Sequence, residues 1–175
     1  MRAEISAVTV LIRQNKKHAD CVINYMGIEI EHKYLVKDDS YRAIASSVSE
    51  IQQGFLSRDP ERTVRVRIKD RQGFITIKGK GDGAAHPEFE YEVPLDDAMQ
   101  MLSLCEPPVI RKTRYIVIHD GNRWEIDEFH GDLHGLVIAE LEVPSEDYRF
   151  TLPPFVGTEV TGDKRYYNSQ LGVAQ

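Results

Sequence analysis

The chain predicts a mainly β fold with some α structure: an eight-stranded antiparallel β-barrel with helices on its flanks. Three observations lead there. Eight segments alternate apolar with polar residues, the period of a half-buried strand. Most of them are joined by short links, which favour antiparallel neighbours, and eight strands commonly close into a small barrel. In seven of the eight, charges of one sign recur two positions apart, so each of those strands has a face of a single sign.

Taken in order, the strand segments are "IEIEHKYLV", "IQQGFLS", "RTVRVRIK", "FITIKGK", "EFEYEVP", "IRKTRYIVIH", "RWEIDEF" and "LVIAELEV". The polar stretch "DDSYRAIASSVSE" after the first strand reads as helical. A turn at "DRQG" joins the third strand to the fourth. "DGN" between the sixth and seventh contains Asp-Gly, the favoured two-residue hairpin turn. A helix is expected over "LDDAMQMLSLC", with Pro94 before it and Pro107 and Pro108 beyond it. The tail "GDKRYYNSQLG" is expected to form a short final helix.

At 175 residues the chain is long enough for one domain with its own core, set here at residues 26–175. Residues 1–25 share none of the charge alternation and end next to Met26, an alternative start of translation, so they are expected to stand apart. A 41% hydrophobic and 29% charged composition is that of a soluble globular protein. The net charge of -6 argues against a general nucleic-acid binder. Cys21 and Cys105 lie far apart, with neither disulfide-scaffold nor zinc spacing. No signal peptide and no bilayer-length apolar run is recognisable. The expectation is a cytoplasmic protein with no membrane or nucleic-acid partner and with room for a homodimer.

The same-sign pairs are Glu29 with Glu31, Arg65 with Arg67, Lys78 with Lys80, Glu88 with Glu90 and Glu92, Lys112 with Arg114, Glu125 with Asp127, and Glu140 with Glu142. An ordinary solvated face mixes signs, because like charges side by side destabilise a sheet. Segregation by strand implies that something of opposite charge lies between the strands. Gathered carboxylates suit a hard divalent cation such as Mg²⁺ or Mn²⁺. Gathered Arg and Lys suit a polyphosphate. Both in one lumen describe a site for a metal-bound polyphosphate, with the apolar faces turned outward.

The same residues resemble a known family. "EIEHK" matches the ExExK signature of the CYTH domain, the triphosphate tunnel metalloenzymes, and the likeness continues through "QQGFL", "RVR", "TIKG", "EFEYEV", "KTRY", "WEIDEFHG", "AELEV" and "DKRYYNSQL". It implies an eight-stranded tunnel that binds a triphosphate and divalent metal. By resemblance, Glu29, Glu31, Glu140 and Glu142 are metal ligands, with Asp127 a further one. Arg65, Arg67, Lys78, Lys112 and Arg114 form the phosphate clamp, and Lys33 lies near the reacting phosphate. The basic residue of the closing helix is Lys164 or Arg165, with Arg165 preferred because "DxRY" is the familiar form.

The expected activity is metal-dependent hydrolysis of a triphosphate, inorganic triphosphate first. Adenylate cyclase, thiamine triphosphatase and a non-catalytic polyphosphate- or nucleotide-binding module are the alternatives. Trp124 is out of phase with Glu125 and Asp127, so it should point away from the lumen, which favours a substrate without a base. "GKGDG" lacks the ending and helix of a P-loop. His130 and His134 flank a turn-like "GDL" and read as loop residues.

Overall fold

The computed structural model describes residues 28–80 and 85–173, with side chains from Ile30 in the first stretch and from Pro87 in the second. The expectation that residues 1–25 stand apart therefore falls outside the described residues.

The strands are β1 (Ile28–Val36), β2 (Ser47–Ser57), β3 (Arg62–Lys69), β4 (Gln72–Gly79), β5 (Ala85–Val93), β6 (Glu106–His119), β7 (Asn122–Phe129), β8 (Val137–Glu142) and β9 (Val156–Glu159); the helices are α1 (Tyr41–Ile44) and α2 (Leu95–Ser103). They form one sheet in the order β5-β4-β3-β2-β6-β7-β8-β1-β9. The described pairings are antiparallel. β1 pairs with β8 through Glu31–Leu35 and with β5 through Ile28–Ile30, so eight strands close into a ring. The short β9 adds to β1 at Tyr34 and Val36.

The β6–β7 hairpin turns at Asp120 and Gly121, both at positive φ (47° and 77°), as a type I′ turn requires. Elsewhere three expectations are corrected. Helix after β1 is limited to Tyr41–Ile44, and Ser47–Glu50 belong to β2, where they pair with Thr113–Ile116 of β6. Ser and the β-branched Val48 hold a helix weakly, and the open edge of β6 offers their backbone a ladder instead. The tail forms only a 3-10 turn at Lys164–Tyr166. β9, a ninth strand, has just four residues and too little alternation to register.

The main apolar core lies outside the barrel wall. Tyr34, Val117, Trp124, Ile126, Ala139 and Leu141, the outward residues of β1, β6, β7 and β8, are buried under Tyr41 of α1 and under Val143, Phe155 and Val156. Trp124 is fully buried there, tilted against Tyr34 and edge-on to Phe150. On the other wall α2 and the residues just after it sit on glycine: a Cβ at Gly73 would meet Ala98 Cβ of α2 at 2.6 Å, and one at Gly54 would meet Cβ of Cys105, beyond the helix end, at 2.7 Å. No helix among the described residues is long and apolar enough to cross a membrane.

Candidate active site

Strand alternation sends Arg65 and Arg67 of β3, Lys78 of β4, Lys112 and Arg114 of β6, Glu125 and Asp127 of β7, Glu140 and Glu142 of β8, and Glu31 and Lys33 of β1 to the same side of the wall, the inside. Register then decides which of them meet.

On β6, β7, β8 and β1 the inner face is a chain of alternating charge. Asp127 is fully buried and gives both oxygens to cations: Oδ1 accepts from Arg114 Nε at 2.6 Å, and Oδ2 accepts from Arg114 Nη2 at 2.6 Å and Lys112 Nζ at 2.5 Å. Arg114 continues to Glu140 Oε2 at 3.1 Å and to Glu125. Glu140 Oε1 accepts from Lys33 Nζ, which also lies 2.6 Å from Glu31 Oε2.

Two pairs of carboxylates face each other directly across the ladder, Glu31 with Glu142 and Glu125 with Glu140. Such pairs repel unless a cation lies among them. Lys33 bridges Glu31 to Glu140, and Arg114 bridges Glu125 to Glu140.

These contacts decide the protonation states. Burial would raise the carboxyls of Asp127 and Glu140, but Arg114 and Lys112 hold Asp127 below the usual range, and Lys33 and Arg114 hold Glu140 well below it. Burial would lower the Lys33 ammonium; Glu140 and Glu31 outweigh that and keep it above the usual lysine range. Lys112 behaves differently. Burial pushes it down to about 8, because its one carboxylate partner, Asp127, is shared with Arg114.

The β3–β4–β5 side is the second half of the lumen. Arg67 Nη2 donates to Glu90 Oε1 at 2.7 Å, Thr76 donates to Glu90 Oε2 at 2.6 Å, and Lys78 Nζ lies 2.8 Å from Glu88 Oε2. Arg65 reaches Glu90 at 3.4 Å and Glu88 at 3.8 Å. Burial and the neighbouring Arg65 push Arg67 down to about 10. The buried Nε atoms of Arg65 and Arg67 have no hydrogen-bond partner, so this wall keeps unused donors.

Of the expected site residues, Lys33, Arg65, Arg67, Lys78, Lys112, Arg114, Glu31, Asp127 and Glu140 therefore line one lumen, and Glu142 stands opposite Glu31 on the same face. Glu29 pairs opposite His86 in the backbone ladder, and its side chain lies outside the described residues. The Arg165 side chain, expected at the substrate, is 73% exposed and pairs with Asp163 Oδ2 at 2.6 Å, while Asp163 caps the 3-10 turn by accepting from the Arg165 backbone N–H. Asp127, expected as a further metal ligand, has both oxygens bonded to Lys112 and Arg114 in this structure.

Among the described residues no three His, Cys, Asp or Glu side chains converge as a ready-made metal cage. The donor set still suits a hard divalent cation: Glu31, Glu140 and Glu142 offer oxygen alone, on neighbouring strands, around a place where the Lys33 ammonium already meets two of them.

Several lumen residues carried no role in the sequence. Glu125, Glu88 and Glu90 were visible in the alternation but lacked a chemical assignment. Gln53, Thr76 and Asn168 are neutral and gave no charge signal. Asn168, on the tail, accepts from Gln53 Nε2 at 3.3 Å and donates to Glu140 Oε1 at 3.5 Å, so it lies inside the lumen between β2 and β8.

The CYTH domain family model matches residues 27–167. An inorganic triphosphatase of Acetivibrio thermocellus is 46% identical over 147 residues, 83% of this chain and 94% of its own length. One from Nitrosomonas europaea is 33% identical over 154 residues, 83% of this chain and 97% of its own. A crystal structure of an inorganic triphosphatase superposes with a TM-score of 0.61 at 31% identity, covering 84% of this chain and 95% of that one. A structure from Hippeastrum, at 12% identity and a TM-score of 0.54, covers 67% of this chain and 80% of its own and shows the fold alone.

Proposed function

The chain belongs to the CYTH domain family, and on that premise we propose that it hydrolyses inorganic triphosphate inside the charged lumen with the help of a divalent metal, Mg²⁺ or Mn²⁺. The observation that carries this reading is the single lumen in which basic side chains of β3, β4 and β6 face carboxylates of β8 and β1. The two inorganic triphosphatases to which the chain is 46% and 33% identical support the same substrate.

Phosphoryl transfer through a loose transition state requires positioning and charge neutralisation more than covalent chemistry. Arg65 and Arg67, with buried unpartnered Nε donors, grip the phosphate oxygens from one wall. Lys112 and Arg114 do so from the other, held in place by Asp127. Glu31, Glu140 and Glu142, with Glu29 by resemblance, would hold the metal. When bound it would supply Lewis-acid charge neutralisation and a more acidic water. Lys33, released from its carboxylates, offsets charge on the attacked or leaving oxygen.

A substrate without a base fits this lining. Trp124 is outside the lumen, and the inner-face rings of Phe74 and Phe129 lie under Arg67 and Lys112, at 5.3 Å and 5.5 Å. No bare aromatic platform is offered on those strands.

The test is orthophosphate release from triphosphate, ATP, thiamine triphosphate and pyrophosphate side by side, with Mg²⁺ or Mn²⁺. Triphosphate is expected to lead. Cyclic AMP as the sole product would replace this reading with a cyclase, and binding without turnover would replace it with a binding module.

A further inference from the structure

The lumen is not charged along its whole length. Ile110 of β6, Phe129 of β7 and Ile138 of β8 share the inward phase of Lys112, Asp127 and Glu140, and they lie at the β6 N-terminal end of the barrel. There they form a buried apolar cluster with Leu171 of the tail, ringed by Leu133, Leu136 and Tyr166. A residue from outside the barrel thus packs on inner-face side chains, which places the tail in the tunnel end.

Two further anchors fix it there. Arg58, just after β2, donates from Nη1 to the Ser169 carbonyl and from Nη2 to the Pro108 carbonyl at 3.1 Å. Gly172 takes a positive φ of 72°, and a Cβ there would meet Pro108 Cγ at 2.9 Å, so the tail turns tightly against the β6 N-terminal end. Asn168 reaches across the lumen from Gln53 to Glu140 just inside this seal.

We propose that the C-terminal tail sets the length of phosphate chain the enzyme accepts, with Asn168 as the floor that meets the terminal phosphate and Leu171 as the seal beneath it. This rests on the triphosphatase reading above and deepens it. On β6 the last inward cation is Lys112, with Phe129 directly opposite it in the ladder; one strand repeat further, roughly 6.6 Å, β6 presents Ile110. A phosphate pushed among Ile110, Phe129, Ile138 and Leu171 would exchange its water for apolar side chains, which its charge forbids. The chain must then enter from the mouth at the β6–β7 turn and stop at Asn168. The Nδ2 of Asn168 makes only a long bond to Glu140, 3.5 Å, and can turn to a terminal phosphate oxygen.

The test compares kcat/KM for triphosphate, tetraphosphate and long-chain polyphosphate, with the inhibition constant of tetraphosphate against triphosphate as a binding readout. The wild type should prefer triphosphate by about tenfold or more, the scale on which a close-fitting pocket rejects an added group. Leu171→Ala lets water and a further phosphate past the seal, and the tetraphosphate-to-triphosphate ratio should rise by about tenfold. Asn168→Ala should raise the same ratio with the Leu171 seal intact, and it stands in if Leu171→Ala does not fold. The ratio is taken on one preparation, so a general loss of folded protein cancels. Wild-type turnover of triphosphate with an unchanged ratio in the folded variants, or equal use of long chains by the wild type, overturns the length limit alone. Absence of triphosphate turnover in the wild type overturns the underlying reading.

Discussion

Asp127 is surrounded by cations of the protein's own: Lys112 at 2.5 Å and Arg114 through two bonds of 2.6 Å. Asp127→Asn should leave these two buried cations short of a countercharge and destabilise the fold by about 3–5 kcal/mol. Thermal unfolding would show it, together with a raised KM for triphosphate that added metal does not restore. Full recovery with excess metal would instead return Asp127 to the cation site. Glu128, one residue on, points outward to Tyr41 and Arg42, and Glu128→Gln should leave turnover within a few fold. The sequence placed both side chains on their correct faces, because alternation depends on the backbone alone. It could not tell a metal-binding carboxylate from one neutralised by Lys112 and Arg114, which depends on register between β6 and β7. The "DxRY" spacing likewise says nothing of the local partner it creates: Asp163, two residues before Arg165, pairs with its guanidinium.

Elements whose pattern reflects burial were legible, and those whose form depends on a neighbour were not. The expected helix over "LDDAMQMLSLC" appears as Leu95–Ser103, with Asp96 and Asp97 in its first turn, where carboxylates favour the helix dipole. The start of β2 and all of β9 are strands only because β6 and β1 present edges to them. The seat of α2 on the wall is a case where glycine is required by contact: Gly73 faces Ala98, and the missing Cβ would meet both its Cβ at 2.6 Å and the Val93 carbonyl at 3.0 Å. Gly73→Ala should destabilise by about 1–3 kcal/mol, the usual range for overpacking. At about 2–4 °C per kcal/mol for a chain of this size, the loss is readable as a lowered Tm. The KM for triphosphate should not change, because the substitution acts on the outer wall. An unaltered Tm would mean that α2 does not approach β4 as closely as described.

Across the whole molecule the barrel is held on its outside by an apolar core and on its inside by compensated charge. The inner half has a pH signature. Asp127 and Glu140 titrate below their ordinary values when folded, so the unfolded chain takes up their protons first as acid is added. Their stabilisation is complete above the unfolded carboxyl values of about 4 and is lost as pH falls through the lower folded values. Tm should therefore be level from neutral pH down to about 5 and fall steeply beneath about 4. A Tm that stays level to pH 3 would mean that the inner carboxylates are not ionised against Lys33, Lys112 and Arg114.

At this scale the sequence was most informative, because segregation of sign by strand is a property of the closed barrel and survives errors in any one element. What it lacked was the tail, whose Asn168 and Leu171 are neutral and enter the lumen from outside the strand pattern. The central claim is that metal and triphosphate meet inside this lumen. The most direct measurement is anomalous diffraction from crystals grown with Mn²⁺ and triphosphate. The expected result is a manganese peak among Glu31, Glu140 and Glu142, with Lys33 Nζ moved off those carboxylates and phosphates lying between Arg65 and Arg67 on one wall and Lys112 and Arg114 on the other. A peak on the outer wall, or phosphates bound outside a lumen still closed by the Lys33–Glu140 pair, would contradict it.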